Sequence, residues 1–390
     1  MDLVDRRALL AGAGLAATLA GPAFAQSTTQ GNAVAATGAP TGPEPDAKHR
    51  IRFSVIGLDH AHIYSMTDAL IRGGGTLVAV HAADPAQIAP FRKRYGEVKV
   101  ARSEQEILDD SSIQLVASAS IPDLRAPLGI RVMRTGKDFL SDKPGITSLE
   151  QLAAVRRAIA ETKRKFAIMY SERFEVRSAV KAGELVKAGA IGRVVQTVNL
   201  APHRISAPSR PAWFWDTARY GGILVDIGSH QADQFLYYTG STKANVVASQ
   251  TGNFAWPQQP KFQDFGDMTL TGDGGTGYVR VDWFTPDGLP TWGDGRLFIL
   301  GTEGYIELRK YVDIVGRPGG DHLFIVDRQG ARYMDCSKVR LPFGPLFVSD
   351  VVQRTQVAQD QDQALLAAEL VLTAQKTAKR LSSEAPRPSA

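Results

Sequence analysis

The sequence has very little cysteine, and neither sign of charge dominates it. Cys336 is the only cysteine in 390 residues, so no disulfide can form within the chain and a disulfide scaffold is excluded. The 45 Lys and Arg residues nearly balance the 40 Asp and Glu residues, and no basic run or stripe is present, which argues against nucleic-acid binding. The composition, 44% hydrophobic and 22% charged, allows ~2–3 globular domains.

Long apolar runs are absent except at the N-terminus, which excludes a polytopic membrane protein. Within residues 1–25, Arg6 and Arg7 precede a weakly apolar run at 8–20 and an A-x-A pattern at 23–25, which predicts a cleaved signal peptide. We interpret the segment as a twin-arginine signal; the alternatives are a membrane anchor and a general secretion signal. The prediction is a periplasmic protein, exported by the twin-arginine machinery and not anchored in the membrane after cleavage.

The next segments predict a linker and a first domain. Residues 26–49 are rich in Ser, Thr, Gly, Ala and Pro and predict a flexible linker or arm. Residues 50–145 alternate predicted strands with helices, which indicates βαβ units and a parallel, Rossmann-like sheet. The predicted strands lie at 52–56, 77–81, 99–101, 115–119 and 138–141. In such a sheet, the turn after the first strand binds dinucleotide phosphates.

That turn departs from the G-x-G-x-x-G pattern of dinucleotide-binding folds. Gly57 matches the first glycine, but Asp59 and His62 stand at the second and third positions. A carboxylate there would repel a pyrophosphate, and the acidic residue expected after the second strand is displaced to Asp84. His60 and His62 could instead be structural, cap the helix or donate to a phosphate. With Asp59 they could also be metal ligands, although further ligands would then be needed from elsewhere.

Residues 146–345 predict a second α/β domain, for substrate binding and oligomerisation, with a large open and mostly antiparallel sheet. Its predicted strands lie at 166–171, 193–200, 266–271, 277–284, 297–301, 305–311, 322–326 and 331–335. Helices can cover one face of this sheet, and the other face would serve a homo-oligomer. A C-terminal helix over 346–381 and a tail at 382–390 complete the α/β chain.

A helix predicted to begin near Gly221-Gly222 carries the candidate catalytic pair. Asp226 and His230 are four residues apart, which places them on one helix face. A carboxylate beside an imidazole can order a substrate hydroxyl and accept its proton near neutral pH. Gly228, between them, suggests that another group approaches the helix backbone closely. The alternative is an ordinary polar pair on a helix surface.

Three motifs in order resemble the glucose-fructose oxidoreductase / inositol dehydrogenase / MocA family over roughly residues 50–380. The first is Asp142-Lys143-Pro144, where the family has Glu-Lys-Pro after the fifth strand. The second is Gly221-Gly222 followed by Asp226-x-Gly-x-His230, and the third is the turn Gly-Thr-Glu-Gly at 301–304. The resemblance implies a Rossmann domain followed by an open-sheet domain.

The resemblance also implies the chemistry: hydride transfer between a sugar or cyclitol carbon and a tightly bound NAD or NADP. Lys143 would hydrogen-bond the reacting hydroxyl, His230 would act as general acid and base, and Asp226 would orient the substrate or the imidazole. The residues implied near the cofactor are Gly57, Asp59, His60, His62, Asp84 and Pro144. No metal is assigned. A tightly held cofactor suits a periplasm without a free nicotinamide pool.

Substrate contacts are expected from aromatic rings, which pack on the apolar faces of sugars, and from polar groups that bind hydroxyls. The candidates are Glu172, Arg173, His203, Arg204, Trp213, Trp215 and Asp216. Trp256, Trp283 and Trp292 are expected in the core or in an interface. Arg204 and Arg210 could favour an acidic sugar, which the sequence does not decide.

Three functions remain open at this point. The preferred one is an oxidoreductase of the periplasm acting on a small-molecule carbohydrate. The second is a relative that cleaves glycosides through transient oxidation by NAD. The third discards the nucleotide: the Asp59–His62 turn, with His230, would hold a divalent metal in a lyase, hydrolase or sugar-binding protein.

Overall fold

The computed structural model describes residues 39–381, and no helix in that range is long and apolar enough to cross a membrane. The predicted signal peptide, most of the predicted linker and the tail at 382–390 lie outside the described residues. The predicted α/β class is confirmed: a six-stranded parallel sheet is followed by a nine-stranded sheet that is mixed but mostly antiparallel.

The first sheet has the strand order β3-β2-β1-β4-β5-β6, with every pairing parallel. Its elements are β1 Ile51–Ile56, α1 His62–Arg72, β2 Gly75–His81, α2 Ile88–Tyr95, β3 Lys99–Val100, α3 Glu104–Asp109, β4 Leu115–Ser118, α4 Pro122–Arg134, β5 Asp138–Asp142, α5 Leu149–Thr162 and β6 Phe166–Met169. Strands β4, β5 and β6 are buried at every position, because helices cover both faces of a parallel sheet. The strand order reverses between β1 and β4, which is where such sheets bind ligands.

The second sheet has the order β14-β13-β12-β11-β7-β10-β9-β8-β15. Its elements are α6 Ser171–Phe174, α7 Arg177–Lys187, β7 Val194–Pro202, α8 Thr217–Tyr220, α9 Ile223–Asp226, α10 Gly228–Thr239, β8 Ala244–Gly252, β9 Phe265–Gly272, β10 Thr276–Asp282, β11 Arg296–Gly301, β12 Tyr305–Arg309, β13 His322–Asp327, β14 Gly330–Asp335, α11 Phe343–Gln353, α12 Gln361–Thr377 and β15 Lys379–Arg380. Helices α10 and α12 pack on this sheet through a shared apolar core.

Two predicted boundaries differ from the structure. The first domain does not end at residue 145, because β6 pairs in parallel with β5 and extends the first sheet to Met169. The C-terminal helix predicted over 346–381 is two helices, α11 and α12. Between them Arg354 adopts a left-handed conformation with φ of 60°, and Asp350 accepts hydrogen bonds from the amides of Val357 and Ala358.

The helix predicted to carry the catalytic pair is interrupted. Asp226 is the last residue of α9, His230 lies in α10, and Ile227 separates the two helices. The expected close approach at Gly228 is also not found, because a β-carbon there would meet its nearest atom, in Met268, at the ordinary distance of 3.5 Å. Ile227 keeps right-handed helical angles, so the interruption is one residue long, and the His230 amide donates to the Ile227 carbonyl.

Candidate functional site

A cavity lies between the two domains. Its first-domain wall follows the turn after β1, the start of α4 and the end of β5, and includes Asp59, His60, His62, Pro122, Arg125 and Lys143. Its second-domain wall follows the loop after β7 and includes His203, Arg204, Arg210, Trp213, Asp226, Trp283 and Trp292. The sheet topology places the first wall at the carboxyl ends of parallel strands, where ligands of this fold bind.

One ion pair joins the two walls. The Lys143 Nζ lies 2.9 Å from Oδ1 of Asp226 and donates a second hydrogen bond of 3.2 Å to its carbonyl oxygen. Burial opposes ionisation of Asp226, but the Lys143 ammonium outweighs it and lowers the pKa of this carboxyl. A cis peptide bond joins Lys143 to Pro144. The site therefore presents an ammonium held in place by a carboxylate.

The carboxylate of Asp142, which directly precedes Lys143, is fully buried and contacts four nitrogen-bearing groups. The Nδ1 atoms of His60 and His62 lie 3.0 and 2.9 Å from its oxygens. The Arg125 guanidinium lies 3.1 Å away, and the Lys143 backbone N–H donates at 2.7 Å. Burial raises the pKa of Asp142, but the neighbouring His62, Arg125 and His60 outweigh it and hold the pKa well below its usual range. Burial lowers the pKa of His60 to about 4, so this imidazole is neutral.

The turn after β1 keeps two features that a pyrophosphate requires. Gly57 has φ of 85°, and a β-carbon there would lie 2.5 Å from the Cβ of Ser120, so only glycine fits. Helix α1 begins without a side-chain cap at Ala61 and without an acidic residue in its first turn, which leaves its N-terminus suited to an anion. Asp59 accepts a hydrogen bond from Gln87 at 3.3 Å. Gly57 and the helix N-terminus therefore suit an anion, whereas Asp59 keeps a carboxylate at the second position of the turn.

Asp84 lies beside this turn but is exposed. Its side chain accepts a hydrogen bond of 2.9 Å from the Ala86 amide and caps the 3-10 turn Pro85–Gln87. That local hydrogen bond follows from its position before a proline, where Asp is a favourable cap. The ribose-binding role that the resemblance implies for Asp84 stays a prediction.

His230 is not on the cavity wall. Its side chain is 2% exposed, and its ring lies 6.5 Å from that of His62 and 6.4 Å from that of Tyr170. Burial lowers its pKa well below the usual value, and its Nδ1 has no hydrogen-bond partner among residues 39–381. The imidazole on the second-domain wall is instead that of His203. Of the two residues that the sequence analysis pairs, Asp226 therefore lines the cavity and His230 does not.

Glu172 and Arg173, expected to contact substrate, form interior ion pairs. Glu172 is bound by Lys310 at 2.6 Å, and the pair is almost fully buried. Arg173 makes two hydrogen bonds, of 2.6 and 2.7 Å, to Asp233. Neither belongs to the cavity wall. Sequence alone does not distinguish such residues from binding groups, because a buried charge requires a partner for stability whether or not it binds a ligand.

The expected aromatic contacts are divided. Trp213 lines the cavity, as His203 and Arg204 do, but Trp215 packs against Trp256 with ring centroids 5.2 Å apart. Asp216 caps α8 through the Ala218 amide and pairs with a surface lysine.

The wall also holds aromatic residues that were not expected to contact substrate. Trp283 and Trp292, expected in the core or in an interface, line the cavity with Arg210. Trp283 directly follows β10, whose end lies beside the end of β7 in a parallel pairing. That pairing between strands distant in sequence brings them to the site, and no local pattern indicates it.

Comparison with known families follows the two domains. Residues 51–170 match the model of an oxidoreductase family with an NAD-binding Rossmann fold, and residues 179–307 match the GFO/IDH/MocA C-terminal domain. The chain belongs to the GFO/IDH/MocA family of oxidoreductases, which confirms the resemblance and the predicted NAD(P) class of cofactor for the family.

Two curated relatives have names that state an activity. Levoglucosan dehydrogenase of Pseudarthrobacter phenanthrenivorans is 27% identical over 208 residues, covering 51% of this chain and 52% of the relative. Inositol 2-dehydrogenase 2 of Saccharopolyspora erythraea is 24% identical over 272 residues, covering 68% and 75%. The chain thus spans about half the length of the first of these curated relatives.

Solved structures share the whole fold. A proposed oxidoreductase of Erwinia carotovora atroseptica SCRI1043 is 49% identical, with a TM-score of 0.83, over 85% of this chain and 100% of that one. Levoglucosan dehydrogenase in complex with NADH is 18% identical, with a TM-score of 0.68, over 85% and 98%. At 18% identity, the second structure shows a shared fold and nothing more.

Proposed function

We propose that the protein is an exported oxidoreductase that transfers a hydride between the CH–OH carbon of a sugar or cyclitol and a tightly bound NAD(P). The observation that carries the proposal is the Lys143–Asp226 ion pair, which joins the two domains on the wall of the cavity. The named activities of the relatives, levoglucosan and inositol dehydrogenases, support the substrate class.

In this proposal, residues at the carboxyl ends of β1 and β4 would hold the cofactor. Gly57 and the uncapped N-terminus of α1 would hold its pyrophosphate, and Asp84 is the candidate ribose ligand. When bound, the nicotinamide supplies or accepts the hydride.

Side chains of the cavity would bind the reacting oxygen of the substrate and accept its proton. The Lys143 ammonium donates a hydrogen bond to the reacting hydroxyl oxygen and stabilises the negative charge that develops there. Asp226 orients the Lys143 side chain through its 2.9 Å contact. The neutral imidazole of His203 lies on the second-domain wall and can accept a proton, whereas the buried His230 does not line the cavity. The tryptophan rings provide apolar surface for the face of a sugar ring.

Nucleotide analysis of the purified protein tests this proposal. We expect NAD(P) to be released on acid denaturation, or to bind on titration of the nucleotide-free protein. Lys143→Ala should keep the nucleotide and lose substrate-dependent reduction of it, because the lysine acts on the substrate oxygen. Protein that neither contains nor binds a nicotinamide nucleotide would contradict the proposal.

The His60–His62–Asp142 cluster favours a second candidate, a metal-dependent sugar lyase or hydrolase. Their ligand atoms lie within 4.8 Å of one another, and His60 Nδ1 lacks hydrogen-bond geometry toward Asp142 although only 3.0 Å separates the atoms. The buried Arg125 guanidinium beside Asp142 opposes a divalent cation there. Metal analysis decides between them: a stoichiometric metal that His62→Ala removes would favour this candidate over the first.

Export and oligomerisation are further parts of the proposal. Arg6 and Arg7 support export, and replacing both by Lys should leave unprocessed protein in the cytoplasm, as cell fractionation would show. Aromatic pairs on the open sheet face support a homo-oligomer, since Phe298–Tyr305 and Phe324–Tyr333 have ring centroids 5.0 and 5.4 Å apart. Light scattering of the purified protein should give a multiple of the chain mass.

A further inference from the structure

Among residues 39–381, four arginine side chains lie over aromatic rings. Arg94, Arg173 and Arg317 each also pair with a carboxylate, at 2.5, 2.6 and 2.8 Å respectively. Arg210 is the exception, because it has no ion-pair partner in the described part of the chain. It is also the one of the four that lines the cavity.

The guanidinium of Arg210 is held in position but keeps one nitrogen available. It lies 4.4 Å from the ring centre of Phe214 and 4.9 Å from that of Trp283. Its Nε donates to the Ile205 carbonyl at 2.6 Å, and one Nη donates to the Arg204 carbonyl at 3.2 Å. The other Nη has no acceptor among the described residues. Burial lowers the pKa of Arg210 to about 10, which still leaves it charged at neutral pH.

The other cations of the cavity each lie within 4 Å of a carboxylate, and for Arg204 that carboxylate is the exposed Asp287. Arg125, Lys143 and Arg204 lie 3.1, 2.9 and 3.5 Å from carboxylates of the chain. One positive charge therefore remains on the second-domain wall, which matches a monoanion better than a phosphate dianion. The indole N–H of Trp283, beside Arg210, is a further buried donor without an acceptor in the described structure.

We propose that Arg210 binds a carboxylate on the substrate, so that the preferred substrates of this cavity are sugar acids rather than neutral sugars. The inference rests on the proposed function, because it names the substrate class of the same site. The guanidinium presents a planar N–H donor to a carboxylate oxygen in a partly desolvated position, where such a hydrogen bond is strong. Asp59, on the opposite wall, would then face the hydroxyl end of the substrate.

Calorimetric titration of the purified protein, with its nucleotide bound, tests the inference. The probes are D-glucuronate and D-gluconate, compared with D-glucose and with glucose 6-phosphate. We expect at least one acid to bind ~10- to 100-fold more tightly than glucose and more tightly than the phosphate ester. Arg210→Gln should abolish that preference, and Arg210→Lys should retain part of it because it keeps the charge without the planar donors.

Arg317→Gln is the matched control, because Arg317 also lies over two rings but pairs with Asp313 outside the cavity. This variant should keep the preference for the acid. Glucose binding as tightly as both acids, an Arg210→Gln protein that keeps the preference, or stronger binding of glucose 6-phosphate would each overturn the inference. Nucleotide binding without an acid preference would overturn the inference alone, whereas acid binding by a protein that takes up no nucleotide would overturn the proposed function and leave the inference standing.

Discussion

The ammonium of Lys143, at the end of β5, lies 2.9 Å from the carboxylate of Asp226, at the end of α9 in the second domain. Lys143 follows the buried β5 directly, and its backbone N–H is held by Asp142 at 2.7 Å. The ammonium therefore has a fixed origin in one domain and a fixed partner in the other. A charge positioned in this way can act on a substrate oxygen without a costly rearrangement.

Replacing Lys143 by Met should reduce turnover at least ~10²-fold, because the developing charge on the substrate oxygen would lose its cation. The measurement is the rate at which substrate reduces the bound nucleotide, followed by nicotinamide absorbance. Lys261→Met is the control, since Lys261 is 70% exposed and pairs with Asp216 away from the cavity. Equal rates in the Lys143→Met and wild-type proteins would place the reaction elsewhere.

Replacing Lys310 by Met should destabilise the protein by ~3–5 kcal/mol, because Glu172 would remain buried and charged without its partner at 2.6 Å. The double variant Glu172→Gln with Lys310→Met should recover much of that loss. Urea unfolding of the wild type, the Lys310→Met variant and the double variant measures the loss of unfolding free energy and its recovery. If the double variant is no more stable than Lys310→Met alone, then the unpaired charge is not the cause of the loss.

Gly57→Ala should weaken both folding and nucleotide binding. The new β-carbon would lie 2.5 Å from Ser120, and the position has φ of 85°. Gly96→Ala separates these effects, because Gly96 has φ of 79° and nothing within 4 Å of such a β-carbon. We expect Gly96→Ala to cost ~1–2 kcal/mol from the backbone alone. Gly57→Ala should cost more and raise the nucleotide Kd; equal costs in denaturant unfolding would argue against the close contact.

The sequence predicts the parts of this protein that repeat locally and misses those that depend on distant pairing. The strands and helices of the first sheet follow from apolar runs that alternate with helical patterns, and the structure has them within a few residues. The interruption at Ile227 and the left-handed Arg354 have no comparable signal, so two predicted helices are wrong in extent. For the site, motif order indicates Lys143 and Asp226. The buried ion pairs of Glu172 with Lys310 and of Arg173 with Asp233 are not apparent from sequence, because each partner is at least 60 residues away.

Two histidines of the cavity, His60 and His203, make stability depend on pH. Burial lowers the pKa of His203 to about 4, against 6.5 for the ordinary side chain. Between these values the unfolded chain binds a proton that the folded protein does not, so the free energy of unfolding falls as the pH falls from 6.5 toward 4. The contribution of this histidine is at most ~1.4 kcal/mol per pH unit. The carboxylates with lowered pKa act in the same direction at lower pH, from the ordinary carboxyl pKa of ~4 downward. Urea unfolding at a series of pH values should therefore show a smaller slope between pH 6.5 and 5 for His203→Gln than for the wild type. The control is Gln329→Ala, in an exposed loop, which leaves every histidine in place and should keep the full slope. An unchanged slope in His203→Gln would instead show that this imidazole titrates normally in the folded protein.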